Sequence, residues 1–311
     1  MRIVVAVGGN ALIRAGQAGT WPEQLANVRD IAEAILDLRA QGHEVVLTHG
    51  NGPHVGALLL QNKLGEAEAS PLPLDALIAM TQGWIGYLLE SSFAQLDPGV
   101  PIAVLLTRVL VDREDAAFGA PDKPVGPFYD EAEARRRADE LGWDVAPDAG
   151  RGWRRVVPSP HPLEVLGEHH VRALLEQGSV VVACGGGGIP VAEQGDEVVG
   201  IAGVIDKDRC SARLAADIGA DLLVLLTGVP RVSLDYGTRW ERELSTLTVA
   251  EALQGLEDGD FPAGSMGPKI ESAGRFVSES GGRALITSAE HLVPAIGGHD
   301  GTWIVPERVP V

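Results

Sequence analysis

The chain contains little cysteine and little positive charge. Among its 311 residues, two are cysteine, Cys184 and Cys210, and neither lies at zinc-ligand spacing from another cysteine or a histidine. Two cysteines cannot form a disulfide framework, which favours a reducing, cytoplasmic location. Acidic residues outnumber basic residues by 43 to 25, for a net charge of −18. Such a surface repels nucleic acid and anionic lipid, so we expect neither as a partner.

Long apolar runs are also missing. No stretch of about 18 uncharged apolar residues occurs, so the sequence predicts no membrane-spanning helix. The first seven residues form too short and too strand-like a segment for a signal peptide, and we expect none. Hydrophobic residues make up 45% of the chain, which is enough to build a large core and excludes a disordered protein.

Short β-branched runs alternate with amphipathic helical segments along most of the chain. The predicted strands are residues 3–7, 45–47, 102–106, 179–183, 222–226 and 284–287. The predicted helices are residues 23–40, 54–63, 75–96, 163–177, 208–218 and 270–280. Apolar strands that alternate with helices in this way predict a parallel sheet with helices on both faces.

Residues 112–162 break this alternation. They are rich in proline, arginine and acidic residues, and they contain no long apolar strand. We expect an inserted, partly irregular subdomain over the edge of the sheet, with the length and position of a lid. The alternative, a surface excursion without function, stays open.

Three glycine-rich segments each follow a predicted strand. They are Gly8-Gly9-Asn10-Ala11, His49-Gly50-Asn51-Gly52-Pro53 and Gly185-Gly186-Gly187-Gly188-Ile189-Pro190. Exposed backbone N–H groups in such turns attract anionic oxygens, and open parallel sheets bind ligands at this edge. None of the segments has the Walker or the G-x-G-x-x-G pattern, which disfavours a nicotinamide site. We therefore expect an anion site of another kind.

Three lysines lie in unusual local contexts. Lys207 stands between Asp206 and Asp208 at a helix start, Lys269 begins another glycine-rich helix, and Lys123 lies between prolines in the inserted region. Phosphoryl transfer needs fixed positive charge around a spreading negative transition state, which these lysines would supply. Solvated surface charge is the alternative for Lys123 and Lys207. The two aspartates could bind a metal or cap the helix, but we favour Asp208 as the group that orients Lys207.

The order and spacing of these motifs resemble carbamate kinase, a member of the amino acid kinase family. The motifs that carry the resemblance are residues 7–11, 49–53, 74–75, 82–87, 123–128, 150–160, 185–188, 205–208, 226–229 and 264–269. They are distributed through nearly the whole chain, which makes the resemblance specific.

The resemblance implies an α/β fold, a three-layer α/β/α sandwich with one long, mostly parallel sheet and a protruding inserted subdomain. It implies one domain over residues 1–311, with a carbamate-side lobe of about 1–200, including the subdomain of about 112–162, and a nucleotide-side lobe of about 201–311. The implied reaction is reversible phosphoryl transfer between ATP and carbamate, giving ADP and carbamoyl phosphate, with Mg²⁺. The implied protein is a cytoplasmic homodimer that forms ATP in arginine or purine-derivative catabolism.

The resemblance also implies roles for individual residues. The implied catalytic residues are Lys123, Lys207, Asp208 and Lys269. The implied substrate-binding residues are Gly8, Gly9, Asn10, Gly50, Asn51, Gly52, Gly186 and Gly187. The implied nucleotide-binding residues are Lys207, Thr227, Tyr236, Met266 and Lys269. It assigns no metal ligand among the side chains.

Several positions depart from the family pattern. Acetylglutamate-type kinases have a lysine where this chain has Ala6, and Lys123 is the expected replacement, as in carbamate kinase. The positions that differ from carbamate kinase itself are His54, Asp122, His161 and Ala202. Two alternatives follow: a kinase for another small carboxylate or phosphate acceptor, and a catalytically silent nucleotide-binding regulatory protein.

Overall fold

The computed structural model describes residues 1–14, 16–148, 152–262 and 264–306. Its strands are β1 Arg2–Val7, β2 Glu44–His49, β3 Ile102–Val104, β4 Arg108–Val111, β5 Lys123–Tyr129, β6 Asp144–Pro147, β7 Trp153–Val157, β8 Pro162–Leu166, β9 Val180–Val182, β10 Ile189–Gln194, β11 Glu197–Gly200, β12 Leu222–Thr227, β13 Val232–Leu234, β14 Arg242–Leu244, β15 Thr246–Thr248, β16 Arg283–Ser288 and β17 Thr302–Val305. Its α-helices are α1 Gly9–Leu12, α2 Trp21–Ala40, α3 Gly52–Leu64, α4 Leu74–Leu96, α5 Glu131–Leu141, α6 Glu168–Glu176, α7 Lys207–Asp217, α8 Val249–Glu257, α9 Gly267–Ser280 and α10 Leu292–Ile296.

The main sheet has eight strands in the order β15-β17-β16-β12-β1-β2-β9-β3. The central strands pair in parallel, and β17 runs antiparallel to β16. The predicted mostly parallel sheet is therefore confirmed. In the described residues, no helix is both long enough and apolar enough to cross a bilayer.

Strand β1 shows how helices cover both faces of the sheet. Because successive side chains of a strand point to opposite faces, Val4 and Ala6 join a core cluster with residues of α7 and α9. Ile3 and Val5 join a second cluster with residues of α2 and α4. All four side chains are fully buried, and the isoleucine and the two valines each contribute about 1.5–3 kcal/mol of burial free energy. The result is the predicted three-layer sandwich.

The inserted region is more regular than we expected. Strands β5, β7 and β6 form a three-stranded antiparallel sheet in that order, and α5 packs on it. Arginines over aromatic rings take much of the place of an apolar core, with Arg154 5.0 Å from Phe128 and Arg155 5.2 Å from Trp143. Because cation–π contacts replace apolar contacts here, the sequence contains no apolar run that would predict these strands.

The predicted helix over residues 163–177 is wrong in its first part. Residues 162–166 form β8, which pairs with β4 in a second sheet of order β11-β10-β4-β8. Gly167 then takes a left-handed conformation with φ 85°, and the helix begins only at Glu168. The burial of these residues does not alternate regularly, and it is the tertiary pairing with β4 that makes the segment a strand.

Helix α3 and the inserted region meet at two glycines. A Cβ atom on Gly56 would lie 1.9 Å from Cα of Gly126, so Gly56→Ala must displace backbone. We expect this change to lower the free energy of unfolding by about 1–3 kcal/mol, the usual cost of overpacking. Denaturant unfolding of the purified variant measures this value.

The matched control is Gly274→Ala on α9, where an added Cβ would meet no atom within 4 Å. Alanine in an open helix position stabilises by about 0.5–1 kcal/mol. If Gly56→Ala were as stable as Gly274→Ala, the close approach of α3 to β5 would be contradicted.

Candidate functional site

The three glycine turns lie side by side at one edge of the main sheet. They follow β1, β2 and β9, which are neighbours in the order β1-β2-β9. The register pairs Val7 with His49, and Leu47 with Val182, so the turns that begin at Gly8, Gly50 and Gly185 start at the same level. The N–H of Gly50 donates to the carbonyl oxygen of Val7 over 2.9 Å, which joins the first two turns directly.

Close packing explains why these turns need glycine. A Cβ atom on Gly50 would lie 3.0 Å from Cδ of Lys207 and 3.1 Å from the backbone nitrogen of Gly9. A Cβ atom on Gly186, which has φ 67°, would lie 2.3 Å from Nδ2 of Asn51. Side chains at either position would therefore separate the turns or fill the space between them.

The predicted substrate-binding residues Gly8, Gly9, Gly50, Gly52, Gly186 and Gly187 all lie in these turns. Gly9 and Gly52 are the first residues of α1 and α3, so their N–H groups belong to helix starts, where anions are favoured. Asn51 is 2% exposed, and its Nδ2 donates to Oγ1 of Thr81 over 2.8 Å. The side chain of Asn10 lies outside the described part of the structure.

The structure brings the three predicted lysines together at the start of α7. Nζ of Lys207 donates to Oδ1 of Asp208 over 2.5 Å, and Nζ of Lys269 donates to Oδ2 of the same carboxylate over 3.1 Å. Nζ of Lys123, from the inserted region, donates to Oδ2 of Asp206. We call these five residues the lysine cluster. Its three ammonium groups exceed its carboxylates by one charge, in a protein of net charge −18.

The two aspartates of the lysine cluster have separate tasks. Oδ1 of Asp206 accepts from the backbone N–H groups of Asp208 at 2.8 Å and Arg209 at 3.3 Å, so Asp206 caps α7. This is the capping alternative considered from the sequence. Asp208 instead bridges Lys207 and Lys269, which is the orienting contact we expected for Lys207.

Burial and charge act against each other in the lysine cluster. Burial alone would raise the pKa of Asp208, but Lys207 and Lys269 outweigh it and hold the pKa below its usual value. Burial likewise opposes ionisation of Asp206, and Lys123 with Lys207 holds its pKa far below the usual range. Both carboxylates are therefore ionised at neutral pH, and they compensate the buried ammonium groups.

A sequence model of the amino acid kinase family matches residues 1–288. The chain is 45% identical to the carbamate kinase of Pyrococcus horikoshii, over 98% of this chain and 99% of that protein. The chain belongs to the amino acid kinase family, and within it to the carbamate kinases. It is therefore a phosphotransferase, as its motifs predicted.

Solved carbamate kinases share the fold of this family member. The carbamate kinase from Giardia lamblia bound to citric acid superposes with a TM-score of 0.93 at 38% identity, covering 98% of both chains. The same enzyme bound to AMP-PNP superposes with a TM-score of 0.88 at 38% identity, again covering 98% of both chains. The predicted family and fold are confirmed.

The predicted nucleotide-side residues of this kinase are more dispersed than the lysine cluster. Thr227 ends β12 and is half-buried, and Met266 immediately precedes α9. Lys269 belongs to both sets. Tyr236 lies between β13 and β14 and is 64% exposed. The described contacts do not join Tyr236 to the lysine cluster, and its role stays a prediction.

Two polar residues near the turns received no role from the sequence. Gln82 of α4 donates from Nε2 to the carbonyl oxygen of Gly185 over 2.8 Å and accepts from the N–H of Thr107 over 2.9 Å. It thus ties the third turn to α4. Arg154 of β7 reaches the second turn, where its Nη2 lies 3.7 Å from the position of a Cβ on Gly52. Helical and strand periodicity do not reveal either contact.

Three of the four residues that depart from the family pattern are exposed to solvent. They are Asp122, His161 and Ala202. Lys123 pairs with Asp206, whereas the neighbouring Asp122 is exposed to solvent. His54 is the exception, because it is 1% exposed and its Nε2 lies 2.9 Å from Oε1 of Gln24. It packs edge-on against Trp84, with ring centroids 5.0 Å apart.

Burial of His54 predicts acid sensitivity. Burial lowers the pKa of His54 to about 4, whereas an unfolded histidine titrates near 6.5. The neutral ring thus stabilises the fold above about pH 6.5, and this contribution is lost as the pH falls towards 4. Between pH 7 and pH 5 we expect the wild type to lose about 2 kcal/mol more unfolding free energy than His54→Gln.

Urea unfolding of both proteins at the two pH values measures this difference. The control is His299→Gln, which removes a histidine from the exposed surface and tests whether the effect is specific to His54. Equal losses in the wild type and His54→Gln would show that His54 does not titrate as its burial requires.

Proposed function

We propose that this protein is a carbamate kinase that transfers a phosphoryl group reversibly between ATP and carbamate, giving ADP and carbamoyl phosphate. The observation that supports this most is the lysine cluster, gathered on Asp206 and Asp208 beside three glycine turns. Kinase sites work mainly by positioning two anions and by neutralising the charge that passes between them.

In the proposed mechanism, backbone N–H groups of the turns hold the acceptor. Gly8 and Gly9 after β1, with Gly50 and Gly52 after β2, surround the carboxylate of carbamate. One oxygen of carbamate attacks the terminal phosphorus of ATP, and the bond to the bridging oxygen of ADP breaks. This step needs no protein base, because carbamate is already an anion.

The lysines neutralise the charge that develops in this step. Lys207 and Lys269 share Asp208, so their ammonium groups are held at fixed positions and donate to phosphate oxygens. Lys123 approaches from the inserted region and donates to the group in transfer. Fixed donors of this kind stabilise a transition state more than they stabilise the mobile ground state.

Residues of about 1–200 would supply the carbamate side, and residues of about 201–311 the nucleotide side. The proposed nucleotide-side residues are Lys207, Thr227, Tyr236, Met266 and Lys269. The relative from Giardia lamblia binds the ATP analogue AMP-PNP, which supports ATP and ADP as the nucleotides here.

Mg²⁺ would arrive with the nucleotide and be held mainly by its phosphates rather than by a dedicated set of side chains. Among the described residues there is no group of three or more potential metal ligands, and both carboxylates of the lysine cluster are bound to lysines. Mg²⁺ often takes one or two carboxylates together with substrate phosphates. When bound, it would neutralise part of the phosphate charge.

We also propose that the reaction runs towards ATP, in the cytoplasm, in the breakdown of arginine or purine derivatives. Carbamoyl phosphate is a mixed anhydride, so phosphoryl transfer from it to ADP is favourable. The two free, buried thiols, Cys184 and Cys210, suit a reducing compartment.

The decisive experiment is ATP formation from carbamoyl phosphate and ADP. We expect turnover by the wild type and a loss of about 100-fold or more in kcat for Lys207→Ala, the usual cost of one transition-state donor. The control is Lys63→Ala, because Lys63 pairs with Glu66 on the surface and should not affect turnover.

Absence of ATP formation above the uncatalysed rate would refute the proposal. Turnover with another acyl phosphate in place of carbamoyl phosphate would favour a kinase for a different acceptor. Nucleotide binding without turnover of either compound would favour the regulatory alternative.

We propose further that the protein is a homodimer that associates through α4. The outer face of this helix carries no charge over two turns and presents Met80, Gly83 and Tyr87, with Met80 46% and Tyr87 61% exposed. Trp21 of α2 extends this apolar face, with its ring centroid 5.7 Å from that of Tyr87. An exposed apolar face of this kind is typical of a protein–protein interface.

A charge on this face should separate the subunits. We expect the wild type to sediment at twice the chain mass of 32.7 kDa and Met80→Glu to shift strongly towards the monomer, because an unpaired charge at the centre of an interface is costly. The control is Leu253→Glu on α8, where Leu253 is 49% exposed. A dimer that persists in Met80→Glu would place the interface elsewhere.

A further inference from the structure

One ion pair joins the inserted region to the start of α7. Lys123 is the first residue of β5, and Asp206 lies 83 positions later, immediately before α7. The Lys123 side chain is 29% exposed and that of Asp206 is 12% exposed. The pair is therefore partly shielded from water and screened less than an ordinary surface pair.

The carboxylate of Asp206 is held in place from the other side. While Oδ2 accepts from Lys123, Oδ1 accepts from the N–H groups of Asp208 and Arg209. Helix α7 is anchored in the core by the buried residues Cys210, Ala212 and Leu214. Asp206 thus cannot follow the inserted region if that region moves, and it presents Lys123 with a fixed partner.

The other contacts of the inserted region, which include a buried apolar cluster with α3 and α4, hold its backbone rather than the ammonium group of Lys123. Gly126 packs on Gly56 of α3, and the carbonyl oxygen of Pro158 accepts from the N–H of Val204 over 2.8 Å. These backbone contacts position the base of the region. The long, flexible side chain of Lys123 needs a separate partner to hold its ammonium group at the site.

We propose that Asp206 is the docking residue for the inserted region: it holds Lys123 within the lysine cluster and so keeps the region closed over the anion site. In this role Asp206 is a positioning residue, since it acts on the reaction through Lys123. The catalytic part of this inference rests on the proposed kinase function, whereas the docking part does not.

The substitution Asp206→Asn separates docking from capping. Asparagine caps helices as well as aspartate does, so α7 should stay intact, but the neutral amide no longer attracts an ammonium group. The matched control is Asp130→Asn, because Asp130 caps α5 in the same way and accepts from the N–H of Glu133 over 2.8 Å.

Amide hydrogen exchange tests the docking. In Asp206→Asn we expect faster exchange in β5 and β7 and unchanged exchange in α7. Lys123→Ala should increase the exchange rates in β5 and β7 by the same factor. The variant that carries both substitutions should exchange no faster than either single variant. The proposal would be overturned if β5 and β7 of Asp206→Asn exchanged at the wild-type rate, or if exchange were accelerated throughout α7.

Steady-state kinetics test the consequence for the reaction. We expect Asp206→Asn to lower kcat/KM for carbamoyl phosphate by about tenfold or more through misplacement of Lys123, and to cause no additional loss in the Lys123→Ala background. Asp130→Asn should keep wild-type values. Equal additional loss in both backgrounds would show that Asp206 does not act through Lys123.

Together, the two measurements test the docking role and the proposed function separately. If the wild type forms no ATP, the proposed function is wrong, and hydrogen exchange still decides whether Asp206 docks the region. If the wild type is active but Asp206→Asn behaves as the wild type in both measurements, the docking role is wrong and the proposed function stands.

Discussion

Two buried carboxylates make it possible for this fold to hold three ammonium groups in one place. A lysine without a partner in such a position would lose its proton, because burial penalises the charged form. Asp208 is 2% exposed and binds both Lys207 and Lys269, and Asp206 binds Lys123. The remaining excess of one positive charge attracts an anion, and it does so inside a strongly acidic protein that repels anions elsewhere.

The parallel sheet provides the place for this charge. Strands β1, β2 and β9 end at one edge, so the glycine turns that follow them meet without any long-range adjustment. The start of α7 faces the same edge, and Lys207 packs against Gly50. Small residues in the turns and a lysine at a helix start are therefore parts of one arrangement, in which backbone donors and ammonium groups face the same space.

Local patterns predicted much of this arrangement correctly. The apolar strands, the amphipathic helices α2 and α4, and the position of each glycine turn follow from periodicities that neighbouring residues set. The predictions from sequence failed where the partner of a strand or side chain is distant along the chain. Residues 163–166 look helical in isolation, but β4 pairs with them as a strand. The strands of the inserted region were missed because arginine–aromatic contacts replace an apolar core there.

The sequence by itself determined which residues stand at strand ends and helix starts, because backbone geometry and hydrophobic periodicity act over a few neighbouring positions. It thereby indicated the glycine turns, the cap at α7 and the lysines Lys207 and Lys269. Only the tertiary structure decided that Lys123 meets Asp206 across 83 positions, that Arg154 reaches Gly52, and that His54 is buried against Trp84. These contacts depend on how the inserted region and α3 dock on the sheet, and docking is set by packing of the whole chain rather than by local order.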